Sequence, residues 1–253
     1  MTKTDKTLKL RKYESGKQEF SNQTLDVIVE QPVELVVDNE LLITFYCSPL
    51  ELDALALGFL WNEGMISDLS EIQNLSINSD NSRIDISLLN PTNKPQSLLR
   101  TSTGITVMGE NEKGLLDKPF TINAENLIQL YDEFSSKQIL HKSAGGFHSA
   151  ALSDGEKINI LVEDLGRHNC LDKISGRFIL DGSPFNPQII LLSGRISSEM
   201  IHKVLKLSAP IIISRTTPTT RAVEIAETNG ISIIGYLRGK NFSIFTNPDR
   251  ILL

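Results

Sequence analysis

Four short apolar runs in the second half of the chain restrict the fold more than any other feature: residues 158–162 (INILV), 189–192 (IILL), 211–213 (III) and 231–234 (ISII). Each run is nearly continuous rather than alternating, so its strand must be covered on both faces. Stretches of helical character separate them, at roughly 169–180, 198–207 and 219–229, and a last strand over 242–246 follows a turn containing Gly239. Strands joined through helices run parallel. The pattern predicts an α/β domain over residues 121–253 on a mostly parallel sheet, entered through an amphipathic helix at 126–140.

The chain before residue 121 reads differently. Residues 25–29 and 33–37 alternate as half-buried strands do, and 41–46 makes a third. Ser48, Pro49, Leu50 and Glu51 have the form of a capping box, with Pro49 at the first helical position where its missing N–H costs nothing. Leu52, Leu55, Ala56, Phe59 and Leu60 then form an apolar stripe that Gly64 ends. Residues 72–77 and 84–88 suit a hairpin. The expected layout is a loose polar segment 1–20, a smaller α+β domain 21–120 and the α/β domain 121–253. Within the smaller domain, residues 90–114 carry two Pro and three Gly and are expected to form a mobile loop.

Of 253 residues 40% are hydrophobic and 22% charged, with a net charge of −6, which excludes a disordered chain. No apolar run approaches the roughly 18 residues that span a bilayer. The Lys- and Thr-rich start lacks the apolar stretch of a signal peptide. The two cysteines, Cys47 and Cys170, cannot supply a disulfide framework or a four-thiolate metal site. A soluble cytoplasmic protein with no membrane partner is expected. Residues 1–120 carry 11 Lys and Arg against 18 Asp and Glu, and residues 121–253 carry 14 against 13. So acidic a protein is a poor nucleic-acid binder. Seven of its ten arginines nevertheless fall in the second part, enough for a local anion site.

In open α/β sheets ligands bind beyond the carboxyl ends of the strands. The segments that follow the four runs are Glu163-Asp164-Leu165-Gly166-Arg167-His168-Asn169, Ser193-Gly194-Arg195-Ile196-Ser197-Ser198-Glu199, Ser214-Arg215-Thr216-Thr217-Pro218-Thr219-Thr220-Arg221 and Gly235-Tyr236-Leu237-Arg238-Gly239-Lys240-Asn241. Each contains an arginine, and three lead into a helix capped by Ser, Thr or Asn. Free N–H groups, a positive helix end and a bidentate guanidinium suit phosphate or pyrophosphate. Tyr236 adds a flat face for a base or pterin ring. His148 and His168 flank the first strand and are placed to reach the same rim. Nothing in the spacing selects Glu63, Glu163 or Glu199 as acid or base, and Glu163-Asp164 is expected to orient neighbouring Arg and His. A deaminase-type zinc needs a Cys-x-x-Cys that this half, with Cys170 alone, lacks. A hydrolase triad finds no Gly-x-Ser-x-Gly. A metal-dependent α/β hydrolase or deaminase stays as the alternative outside pure binding.

Several segments carry a further pattern. They are Ala144-Gly145-Gly146-Phe147-His148-Ser149-Ala150-Ala151-Leu152, residues 163–169 as given above, Leu171-Asp172-Lys173, Ser193-Gly194-Arg195 with Ser197 and Glu199, and Gly235-Tyr236 through Phe245-Thr246. Cys47-Ser48-Pro49, Leu55-Ala56-Leu57-Gly58-Phe59-Leu60 and Glu63-Gly64 belong with them. Together, and in this order from about Val29 onward, they resemble the FdhD/NarQ family. The resemblance implies a cytidine deaminase-like C-terminal domain, a homodimer and a formate dehydrogenase accessory role. In that role a sulfur carrier takes sulfur from a cysteine desulfurase and passes it to the molybdenum bis(molybdopterin guanine dinucleotide) cofactor. It places cofactor binding on Tyr236, Leu237, Arg238, Gly239, Lys240 and Asn241, with a guanine nucleotide as the expected mimic. Arg167, His168, Arg195 and Arg215 form the supporting anion rim, and no metal ligand is assigned.

The same resemblance marks a departure. The family has Ser-Cys-Gly-x-Cys-Gly in the loop, its first cysteine bearing the persulfide, whereas this chain reads Ser102-Thr103-Gly104-Ile105-Thr106. Thr103 and Thr106 thus stand at the two cysteine positions, and a hydroxyl cannot replace a polarisable thiolate at neutral pH. Cys47 reads as a small buried residue. Cys170 stands at a helix start, where the dipole lowers a thiol pKa. The expectation is an accessory protein that binds the cofactor with sulfur transfer reduced or lost; the alternative is an active sulfurtransferase using Cys170.

Overall fold

A computed structural model of the chain describes residues 4–90, 98–100, 105–107, 116 and 118–253. The chain opens with an antiparallel hairpin of β1 (Asp5–Glu14) and β2 (Glu19–Ile28), in register from Asp5↔Ile28 to Glu14↔Glu19. The segment expected to be loose is therefore a strand pair from Asp5 on. Its polar composition belongs to a ribbon held by cross-strand contacts rather than by a core: Leu8 stands opposite Leu25, and the Arg11 guanidinium lies 4.8 Å from the Phe20 ring centre.

Strands β3 (Gln31–Val37), β4 (Glu40–Cys47), β5 (Ile72–Ile77) and β6 (Arg83–Leu88) form a four-stranded sheet in the order β4-β3-β6-β5. Helix α1 (Leu52–Asn62) covers it, packing Leu55, Phe59 and Leu60 on Val33, Leu35 and Ile84. Residues 54–60 of the helix are all buried, as in a helix enclosed on every side. The expected capping box does not form. Glu51 occupies the N-cap position in left-handed backbone, φ 50°, with no side-chain cap. Its carboxylate pairs with Arg177 instead, and the Ser48 hydroxyl is taken up by a buried ion pair. Strands β7 (Leu98–Arg100) and β8 (Ile105–Val107) pair antiparallel. The other residues of the expected mobile loop between 91 and 114, Thr103 among them, lie outside the described residues.

The second half contains β9 (Ile122–Asn123), α2 (Ala124–Lys137), α3 (Ile139–Ala144), β10 (His148–Ser153), β11 (Ile158–Asp164), α4 (Arg167–Leu180), β12 (Ile189–Leu192), α5 (Ser198–Leu207), β13 (Ile211–Ser214), α6 (Thr220–Thr228), β14 (Ser232–Arg238), β15 (Asn241–Ile244) and β16 (Ile251–Leu252). A six-stranded sheet runs β11-β10-β12-β13-β14-β15, and β16 pairs with β9. The sheet is mixed, not mostly parallel. Only β12–β13–β14 are parallel; β10 is antiparallel to both neighbours and β15 to β14. Short connections are the reason. Residues 154–157 join β10 to β11, with Asp154 accepting from the N–H groups of Glu156 and Lys157 and Gly155 at φ 98°. No crossover helix fits in such a turn. One face of the sheet, with Ile190 and Leu192, packs on α4, α5 and α6; the other, with Ile189 and Leu191, packs on α2.

Helices α1 and α4 cross with their backbones in contact. A Cβ on Gly58 would lie 1.8 Å from the Asp172 carbonyl oxygen, and one on Gly176 would lie 1.9 Å from that of Ala54. Buried ion clusters close both ends of α1. Before it, Lys173 Nζ lies 2.6 Å from Asp164 Oδ2, and Ser48 donates to that same oxygen through its N–H (3.1 Å) and its hydroxyl (2.8 Å). At its last residue, Asn62 donates to Asp172 at 2.7 Å, and Lys203 Nζ lies 2.6 Å from the same carboxylate. The order of layers is N-terminal sheet, α1, α4 with α5 and α6, main sheet, α2.

Candidate functional site

Because β10 is antiparallel to β11 and β12, and β12–β14 are parallel, the carboxyl ends of β11, β12, β13 and β14 emerge at one sheet edge. His148, at the start of β10, joins them there. Hydrogen bonds pin the loops after β12, β13 and β14 to one another and to β10. Ser149 N–H donates to Ser193 Oγ (2.9 Å), and Ser214 Oγ donates to the Gly194 carbonyl (2.7 Å). The Ile196 carbonyl accepts from Thr219 N–H (2.9 Å), and the Thr216 carbonyl from Tyr236 N–H (3.0 Å). Tyr131 of α2, which sequence reasoning did not single out, reaches through from the opposite face. Its hydroxyl donates to the Leu192 carbonyl (2.8 Å) and accepts from Arg215 N–H (3.0 Å). The signal was an aromatic with a polar tip on an otherwise apolar helix face.

The rim arginines expected from the strand ends stand at this edge of the sheet. Arg195, Arg215 and Arg238 are exposed, and Arg238 Nε donates to the Arg215 carbonyl at 3.3 Å. Arg167 is half-buried; its Nε is inaccessible and has no hydrogen-bond partner. Burial, and then the neighbouring Arg195, lower its pKa. His168 Nε2 lies 3.1 Å from Glu199 Oε2. Burial holds the His168 and His148 imidazoles below their ordinary pKa, so both are neutral at pH 7. Glu163 and Asp164 do not orient Arg167 or His168. Glu163 accepts from the N–H groups of Leu140 and His141, and Asp164 from Lys173, Ser48 and Asn169.

The strip from Tyr236 to Asn241 spans the end of β14, its turn and the start of β15. A register shift between Gly235 and Arg238 puts Tyr236 in left-handed backbone, φ 55°, and leaves its ring 45% exposed, 6.1 Å from that of Phe245. So bulky a residue at positive φ is a strained conformation that clusters at binding sites. Gly235 is required: a Cβ there would sit 2.9 Å from the Thr216 carbonyl oxygen. Arg238, Gly239, Lys240 and Asn241 are exposed, whereas Leu237 points into the core beneath. Leu237 therefore presents backbone, not side chain, to a ligand.

Neither cysteine is a reactive thiol. Cys47 is buried, and burial followed by the Asp164 carboxylate pushes its pKa up to about 12. The expectation that a helix start lowers the Cys170 pKa is reversed: the side chain is buried in the core, and desolvation and Asp164 raise it well above the ordinary value. Thr103 lies outside the described residues, and of Thr106 only the backbone, opposite Leu99 in β8, is described. Among the described residues no group of three or more His, Cys, Asp or Glu is placed to hold a metal ion. Among them, too, no helix is long and apolar enough to cross a membrane.

Fold and edge define an α/β protein with an arginine-rich rim on a mixed sheet. The chain belongs to the FdhD/NarQ family, whose model matches residues 28–252. It is 36% identical to the sulfur carrier protein FdhD of Sulfolobus acidocaldarius over 231 residues, 89% of this chain and 90% of that protein. With the FdhD of Bacillus pumilus it shares 32% identity over 253 residues, 96% and 95% of the two chains. A crystal structure assigned to a formate dehydrogenase accessory protein from Desulfotalea psychrophila has the same fold. Its TM-score is 0.79 at 21% identity, over 99% of this chain and 100% of that one.

Proposed function

We propose that the chain is a cytoplasmic formate dehydrogenase accessory protein that holds the molybdenum bis(molybdopterin guanine dinucleotide) cofactor, its client, on this sheet edge, and that it does not itself carry the sulfur. The observation that carries the reading is that Arg167, Arg195, Arg215 and Arg238, from four separate loops, stand at one edge of the sheet together with the exposed ring of Tyr236. The residues fit the group. The orphaned Arg167 Nε suits a phosphate oxygen, and Tyr236 beside Phe245 suits a stacked base. Relatives bear the name sulfur carrier, and that step needs an accessible thiolate. Here both cysteines are buried, and Thr103 and Thr106 stand where the family has cysteines. A homodimer and a cytidine deaminase-like C-terminal half complete the reading; a sheet with helices on both faces supports the latter.

Two measurements test it. Calorimetric titration with GDP should show binding that weakens in Arg238→Ala and Lys240→Ala; absence of heat with the unaltered chain sinks the cofactor reading. Expressed in a strain that lacks its accessory protein, the unaltered chain should fail to restore formate dehydrogenase activity, and Thr103→Cys/Thr106→Cys should succeed. Rescue by the unaltered chain overturns the absence of sulfur transfer.

A further inference from the structure

We propose that β1 is the docking edge for an extended acidic segment of a partner protein, one that alternates acidic and apolar side chains and joins the β1–β2 ribbon as a third strand.

The ribbon precedes the part of the chain that the family model matches, which begins at residue 28. Its base is held where Ile28 packs on Gly146: a Cβ on that glycine would lie 2.3 Å from Ile28 Cδ1. Beyond the base, most of both faces is exposed. Among the described residues β1 pairs with β2 alone, so no strand lies along its other edge. Such an edge offers a row of backbone N–H and C=O groups to an incoming chain. A two-stranded ribbon is marginal in water, and a third strand over an apolar face stabilises it.

The side chains along β1 state what that strand should carry. Residues directly opposite share a face. One face presents Leu8 with Leu25 and Lys6 with Val27, of which Leu8, Leu25 and Val27 are 43%, 58% and 40% exposed. The other presents Lys9 opposite Thr24 and Arg11 opposite Asn22. An open hollow of about 900 Å³ lies against this middle stretch, lined by Lys9, Leu10, Arg11, Asn22, Gln23 and Thr24. A strand beside β1 therefore meets leucines on one face and cations on the other, and its own side chains must alternate to match.

Charge selects the occupant. The first 17 residues hold six of the eleven Lys and Arg of residues 1–120 against only Asp5 and Glu14, in a half that is otherwise strongly acidic. Within the ribbon Lys17 pairs with Glu14 at 2.9 Å, and Asp26 accepts from Thr7 at 2.6 Å. Lys6, Lys9 and Lys12 have no carboxylate partner among the described residues. A second copy does not suit this edge: two β1 strands paired about a twofold axis set cation against cation. An acidic strand places its carboxylates beside Lys9 and Arg11 and its apolar side chains beside Leu8 and Leu10.

The test titrates the full chain, by fluorescence anisotropy, with a labelled peptide of alternating Glu and Val. An alternating Lys-Val peptide and a Glu-then-Val block peptide of the same length are the comparisons. The alternating Glu-Val peptide should bind, more weakly at high salt, and neither comparison should. Lys9→Glu combined with Arg11→Glu should lower its affinity at least about tenfold. Lys9→Glu alone keeps Arg11 over the Phe20 ring and should still lower it about threefold, which separates lost charge from a frayed ribbon. No binding, equal binding of either comparison peptide, or variants that bind as well as the unaltered chain overturn the proposal. Sedimentation should give one oligomeric state for the unaltered chain and the double variant. A change of state on charge reversal assigns the edge to a second copy, and phosphatidylserine-vesicle binding lost in the same variant assigns it to a membrane; either result overturns the proposal.

Discussion

Lys173 and Asp164, nine residues apart, meet as an ion pair with no solvent access, Nζ 2.6 Å from Oδ2. Ser48 closes the pair from the other half of the chain, 125 residues away from Lys173, and accepts from Nζ at 3.1 Å. A buried pair contributes little when replaced whole but a great deal when broken. Lys173→Met leaves Asp164 buried and unpaired, and should cost about 3–5 kcal/mol in urea unfolding. Lys173→Met with Asp164→Leu should recover most of that loss. A double variant as unstable as the single one would mean that the pair itself supplies the stability.

The crossing of α1 and α4 leads to a second expectation. Gly58→Ala forces a methyl to within 1.8 Å of a helix carbonyl, and neither backbone can yield cheaply. A loss of at least about 3 kcal/mol is expected, at the upper end of overpacking costs. Gly16→Ala, with nothing within 4 Å of its Cβ, is the control and should leave the unfolding midpoint nearly unchanged.

Thiol chemistry offers a direct check. With Cys47 pushed to about 12 and Cys170 raised by burial, the native protein should resist a disulfide exchange reagent at pH 8 and react at both positions once unfolded. After incubation with a cysteine desulfurase, intact-mass spectrometry should show no added sulfur. A single sulfur adduct on the folded chain would contradict the buried placement of both side chains.

Stability should also depend on pH in a defined direction. Burial lowers the folded-state pKa of His148 and His168. Below the unfolded value near 6.5 the unfolded chain takes up protons that the folded chain refuses. Stability is therefore full above about 6.5 and is lost as pH falls toward the folded values, by at most about 1.4 kcal/mol per pH unit for each histidine. Urea unfolding between pH 7.5 and 5 should show this slope, and His168→Gln should reduce it. A flat profile would contradict the buried neutral imidazoles.

Much of the fold was readable in the sequence where burial is two-sided. The run at 189–192 is β12, Ile189–Leu192, because every position there is apolar and every position is buried. The rim arginines were readable for the same reason, since strand ends fix where the polar loops emerge. What failed was set by contacts distant in sequence. Ser48 has the form of a cap, and only Lys173 decides that its hydroxyl goes elsewhere. Strand direction failed at β10, although Asp154-Gly155 was a local turn signal for an antiparallel hairpin. Leu237 sits within a polar strip, and only the alternation of β14 shows that it faces inward.

The enclosure of α1 has a consequence for synthesis. Its own sheet is complete by Leu88, but the side bearing Ala54 and Gly58 is covered by α4, and Ser175 reaches Asn62 across 113 residues of sequence. While those residues emerge from the ribosome, an apolar helix has one flank open to solvent and to other nascent chains. An N-terminal fragment cut at residue 120 would keep that flank exposed for good, so the two halves are separable in sequence but should mature as one folding unit.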